Sequence, residues 1–140
     1  MSVYKKQLQK KEDKIKELEE EINTIESDYS EFVGNLQMVD RTSRNVLALI
    51  AKGDFEKLEK EYNVEFDLVD EGILFKTPEN NSALPFKLAG KPVHIGSYSK
   101  SDDGIDIAYY ISDSDLDKYT LIVFHFNYDL DFKYILVGAE

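Results

Sequence analysis

Residues 4–32 read YKKQLQKKEDKIKELEEEINTIESDYSEF, and the spacing of apolar residues in this stretch decides how the fold begins. With Leu8 at heptad position a, the a series continues through Ile15, Ile22, Tyr29 and Leu36. The d series is Tyr4, Lys11, Leu18, Ile25, Phe32 and Val39. Apolar side chains recur at alternating steps of three and four, broken only by Lys11, with charges between them. The spacing predicts a continuous helix with one apolar seam, as in a coiled coil. Glu17 to Glu21 is too polar to be covered by a globular core. The seam therefore points to a homodimer or higher oligomer, with Tyr4, Leu8, Ile15, Leu18, Ile22, Ile25, Tyr29 and Phe32 as its interface. An amphipathic helix packed on its own domain is the plainer alternative.

Charge is segregated along this helix. Residues 5–16 hold six lysines and two acids, whereas residues 17–31 hold seven acids and no base. A parallel in-register pair would set lysine on lysine and glutamate on glutamate. An antiparallel pair centred between Ile15 and Leu18 brings Leu8 opposite Ile25 and sets Lys14 and Lys5 near Glu21 and Glu26 of the partner subunit. Glu12 still meets Glu19 in that arrangement. Each exposed pair is worth only tenths of a kcal/mol, so the preference lies in the sum and in the repulsion avoided. A hairpin in which residues 41–62 fold back on the heptad is the intramolecular rival.

Beyond the heptad, Gly34-Asn35 offers a place for the helix to end or bend, and Asp40 to Ser43 supplies capping residues for a restart. Val46, Leu47, Leu49 and Ile50 form an apolar face. Gly53 stops that helix and Asp54 caps a short one containing Phe55, Leu58 and Tyr62. After Asn63 the apolar period changes to two. Candidate strands are 64–70, 72–77, 91–99, 105–111, 119–128 and 132–138, and residues 78–90, with Pro78, Pro85 and Gly90, read as a surface loop. Leu121 to Phe126 is nearly continuous in apolar residues, as expected of a central strand covered on both faces. The expected fold is α+β: a long N-terminal heptad helix, one or two further helices, then an antiparallel sheet of about six strands. The expected division is 1–39 coiled-coil helix, 40–63 helical connector packing on the sheet, and 64–140 antiparallel β domain.

The chain of 140 residues carries a net charge of −11. Residues 64–140 hold fourteen acids against six lysines. Such a surface repels phosphate backbones and anionic lipid, so neither direct nucleic-acid binding nor membrane binding is expected. A basic or neutral protein partner suits it. Cysteine is absent, which excludes disulfides and thiolate metal sites and fits a reducing, cytoplasmic setting. Met1 is followed by Ser-Val-Tyr-Lys-Lys with no apolar run, so a secretory signal is not expected.

The junction Ala51-Lys52-Gly53-Asp54-Phe55, with Leu58 after it, joins two helices ahead of a strand-rich segment. In this it resembles the nuclear transport factor two-like superfamily, also called SnoaL-like or cystatin-like, over residues 44–140. The resemblance implies a curved, cone-shaped sheet packed on the helices. It leaves function open, because members include enzymes, ligand binders and assembly modules. Enzymatic members use a pocket-lining Asp–His or Tyr–Asp pair, and no such pair aligns with this sequence.

His94 and His125, the only histidines, fall mid-strand. A pocket on such a sheet would draw on His94, Tyr98, Asp106, Tyr109 and His125, whereas a histidine tucked along the sheet with one ring nitrogen bonded is the plainer reading. Asp113-x-Asp115-x-Asp117 resembles the opening of a calcium loop. It has Lys118 where the loop needs glycine and Phe124 where it needs a bidentate glutamate, so it reads as an acidic hairpin tip. No nucleotide, metal or nucleophile motif appears, and no catalytic residue, metal or cofactor is assigned. An up-and-down meander of the last four strands brings Asp102, Asp103, Asp129 and Asp131 to one end, the expected contact for a basic partner. The leading reading is a non-enzymatic adaptor or inhibitor. A small-molecule binder or enzyme, and an acidic mimic of nucleic acid, are the alternatives.

Overall fold

Helix α1 runs without interruption from Val3 to Lys52 in a computed structural model, which describes residues 2–78, 80–113 and 118–139, the side chains of 113, 118 and 139 excepted. Gly34-Asn35 does not end the helix, and residues 41–52 belong to it as well. One glycine costs a helix only about 0.5–1 kcal/mol relative to alanine, too little to break so long a run of good helix formers. The chain divides into two compact units, one up to Asn35 and one from Leu36 onward. The boundary falls inside the expected 1–39 segment because Val39 is fully buried in the core of the second unit and Leu36 packs against it.

In the first unit the seam is exposed. Tyr4, Leu8, Ile15, Leu18, Ile22, Ile25, Tyr29 and Phe32 are between 40% and 74% exposed. The ion pair between Lys14 and Glu17, 3.5 Å apart, joins two exposed side chains one turn apart and contributes a few tenths of a kcal/mol at most.

In the second unit, Gly53 takes a left-handed φ of 72° after α1, where a side chain would be strained. The Asp54 side chain then accepts from the Lys57 backbone N–H at 3.3 Å and caps α2, Phe55–Tyr62, which ends on left-handed Asn63. Among the described residues, seven strands follow in two antiparallel sheets instead of one sheet of about six. The first contains β1, Phe66–Val69, β2, Gly72–Phe75, and β3, Ser82–Pro85, in that order. The second is a meander of β4, Val93–Ser101, β5, Gly104–Asp113, β6, Lys118–Phe126, and β7, Phe132–Ala139.

The expected surface loop 78–90 thus holds strand β3 and a 3-10 turn, Phe86–Leu88. Leu84 and Leu88 anchor it in the core. Pro85 is tolerated because β3 is an edge strand, where a missing N–H breaks no outer ladder. The backbone comes so close at Gly72 that a Cβ would stand 2.4 Å from the Leu84 carbonyl oxygen, which restricts that position to glycine.

Ile105, Ile107, Tyr109 and Ile111 of β5 point to one face of the second sheet and are buried. Ile122, Phe124 and Phe126 of β6 do the same, and all join Val46 and Ile50 of α1 and Leu58 of α2 in one core. Leu121 and Val123, on the other face of β6, are only half-buried. The strand expected to be covered on both faces is fully covered on one.

Candidate functional site

The site lies on the face of the second sheet turned away from that core. The β5–β6 pairing sets Asp106 beside His125, and the β6–β7 pairing sets His125 beside Tyr134. His125 Nδ1 lies 2.6 Å from Asp106 Oδ1. The imidazole stacks on the Tyr134 ring with centroids 4.7 Å apart and planes 16° from parallel. His125 is only 5% exposed, which holds the ring in one orientation.

Its second nitrogen faces the β4–β5 turn. Nε2 lies 3.7 Å from Asp103 Oδ2, beyond direct hydrogen-bond reach. Asp103 is oriented by the Ser101 hydroxyl, which donates to Oδ1 at 2.8 Å. That bond, ahead of smaller contributions including the nearby imidazole, holds the Asp103 carboxyl below the usual carboxylate range.

The β6–β7 turn lies at the same end. The Tyr128 hydroxyl donates to the Ser101 carbonyl oxygen and ties the two turns together. Asn127 Oδ1 accepts the backbone N–H groups of Asp129 and Asp131, both at 3.0 Å, and shapes the second turn. Asp102, Asp103, Asp129 and Asp131 therefore occupy two linked turns at one end of the meander, and all four are exposed. Asp115 and Asp117 of the other acidic tip lie outside the described residues, as does the side chain of Asp113.

A cavity of about 500 Å³ adjoins this end. His125, Asp103 and Tyr134 border it on one side, and Phe75, Val64 and Ile135 supply apolar wall. Lys76 and Lys133 also border it, with Lys76 held by Asp67 at 3.0 Å.

The five pocket candidates do not converge. Asp106 and His125 meet. Tyr109 is fully buried on the opposite face, where its hydroxyl donates to Asp40 Oδ1 at 2.6 Å. Tyr98 pairs with Ile107 and packs on the same core, and burial pushes its phenol up from the ordinary tyrosine value. His94 is exposed beside Tyr110 at the far end of the sheet.

Tyr134 was not among the pocket candidates, and one signal for the His125–Asp106 pair was present in the sequence. The β5–β6 hairpin closes on Asp113 and Lys118, and Asp106 and His125 lie equally far back along its two arms. Among the described residues no three His, Cys, Asp or Glu side chains gather as a metal site, and no helix is long and apolar enough to cross a membrane. No family model, curated protein or solved structure matches the chain.

Proposed function

We propose that this chain is a non-enzymatic interaction module that self-associates through its N-terminal helix as an antiparallel pair. The observation that carries this reading is the exposed seam of α1, whose eight apolar side chains stay at least 40% exposed in the single chain. Burying one Leu or Ile is worth about 1.5–3 kcal/mol, so a second copy that covers the seam gains enough to offset the cost of association. The occupant is a second copy because the charge pattern complements its own reverse. The lysines of residues 5–16 face the acids of residues 17–31 only when the partner helix runs the other way.

The acidic turns supply the second half of the reading. Four carboxylates on two linked turns repel one another in isolation and suit a cationic surface on a protein partner. Nucleic acid and anionic membranes are disfavoured by the same charge.

The experiment is light scattering on the wild type and on a variant carrying Ile15→Asp, Leu18→Asp and Ile22→Asp. Wild type is expected to be oligomeric at tens of micromolar, roughly the range of a −6 kcal/mol association. The variant is expected to be monomeric with its β unit intact. A monomeric wild type ends the proposal.

A further inference from the structure

Strand β6 reads Leu121-Ile-Val-Phe-His-Phe126, apolar on both faces apart from His125. A run of this kind belongs to a strand with cover on both sides. Ile122, Phe124 and Phe126 have that cover in the core. Leu121 and Val123 are only half-buried, and they belong neither to the core nor to the apolar side chains packed around it. Strand pairing widens this uncovered patch. Val123 stands between Ala108 of β5 and Leu136 of β7, and Leu121 stands between Tyr110 and Gly138. Leu136 is half-buried and outside the core as well. Tyr119, 56% exposed, meets the Tyr110 ring edge-on with centroids 6.1 Å apart. Among the described residues Asp106 is the one acid that alternation places on this face, and it is held by His125 at 2.6 Å.

We propose that this face binds a basic amphipathic helix of another protein. Its apolar stripe lies over Leu121, Val123 and Leu136, and its cations reach the exposed Asp102, Asp103, Asp129 and Asp131 at one end of the sheet. The proposal rests on the reading of those turns as the contact for a cationic protein, and not on self-association of α1. An α-helix with its side chains is about 10–12 Å across and three neighbouring strands span about 10 Å, so one helix covers the patch. Gly138 is exposed, and a Cβ there would meet nothing within 4 Å, which leaves room beside Leu121 for a side chain of the helix. A second copy seated here would bring the same four carboxylates and, among the described residues, no row of cations on this face to meet them. The cationic helix supplies both the apolar cover and the opposite charge.

The probe is a fluorescein-labelled peptide of about 14 residues, leucine and lysine placed at helical period, titrated into the full-length protein and read by anisotropy. Saturable binding is expected, and the same peptide with glutamate for lysine should not bind. Two variants alter the face: Leu121→Thr with Leu136→Thr, and Gly138→Gln, whose new side chain enters open space. Each should weaken the peptide by about tenfold, the scale of a lost interface anchor, with an unchanged thermal melt to separate lost binding from lost folding. A third variant, with Asn at 102, 103, 129 and 131, should bind more weakly at low salt. It should match wild type near 1 M salt, where the screening length is about 3 Å. Wild-type affinity in both face variants overturns the proposal, and a weakened third variant would then leave the acidic turns as a contact by themselves. Equal affinity of the third variant at low salt overturns the cationic partner together with the reading of the turns. A dimer of the Ile15→Asp, Leu18→Asp, Ile22→Asp chain that Gly138→Gln dissociates assigns the face to a second copy and overturns the proposal as well.

Discussion

The phenolic oxygen of Tyr109 on β5 donates to Asp40 Oδ1 on α1 at 2.6 Å, joining residues sixty-nine positions apart in the chain. Arg44 Nε donates to the same carboxylate oxygen at 3.0 Å, and its guanidinium lies 5.4 Å from the Tyr109 ring centre. Burial first, and the Asp40 carboxylate second, push the Tyr109 phenol far above its ordinary value.

This fixes a pH dependence. A phenol whose folded pKa is raised adds stability that is fully present below the unfolded value, about 10. It is lost as pH rises past that value, because the unfolded chain then ionises and the folded one resists. Urea unfolding should therefore give flat stability from this residue up to about pH 9 and a decline above about pH 10. Tyr109→Phe should make that decline shallower and lower neutral-pH stability by about 1.5–3 kcal/mol, the range for a hydrogen bond to a charged group. Identical alkaline limbs in the two proteins would contradict the assignment.

Two glycines should respond in opposite directions to alanine. A Cβ at Gly34 meets nothing within 4 Å, and the residue sits inside α1. Gly34→Ala should raise helix stability by about 0.5–1 kcal/mol. At Gly104 a Cβ would stand 1.9 Å from the Phe126 carbonyl oxygen, so Gly104→Ala forces backbone movement where β5 leaves its turn. A loss of about 2–3 kcal/mol is expected in thermal or urea unfolding, in the range of overpacked interiors.

The tautomer of His125 provides a third check. With Asp106 as the acceptor at Nδ1, nitrogen chemical shifts of wild type should show the hydrogen on Nδ1. Asp106→Leu removes the acceptor and should shift the population toward the Nε2-protonated form common to unrestrained imidazoles. An unchanged tautomer would detach Asp106 from the role of orienting the ring.

Local signals in the sequence reached most of the elements. The Gly53-Asp54 stop and cap, the period of two after Asn63 and the meander hairpins all follow from neighbours in the chain. What stayed hidden depends on distant pairing. Strand β3 has four residues, includes Pro85 and is defined by its ladder to β2. The Asp40–Tyr109 bond has no local signature at all.

The pocket candidates show the same limit in finer grain. Asp106 and Tyr109 lie an odd number of residues apart on one strand, so alternation places them on opposite faces. His94 and Tyr98 should share a face by the same count. A bulge between Ile95 and Ser97 reverses the alternation and sends Tyr98 to the core. A Cβ at Gly96 would stand 2.1 Å from the Tyr110 ring, so any other residue at that bulge has to displace the ring. Nothing in a stretch reading Val-His-Ile-Gly-Ser-Tyr marks that reversal beyond the glycine itself.

The distance between spin labels on partner helices tests the antiparallel pair most directly, and the absence of cysteine allows a single engineered thiol per chain. Chains labelled at Gln7→Cys mixed with chains labelled at Asp28→Cys should show a coupling of about 15–20 Å, since the two positions lie nearly level across helices packed about 10 Å apart. Two labels both at position 7 should lie about 30 Å apart along the axis at 1.5 Å per residue. A short 7–7 distance with a long 7–28 distance would establish a parallel coil and contradict the charge argument. Absence of any intermolecular coupling at tens of micromolar, roughly the range of a −6 kcal/mol association, would contradict self-association itself.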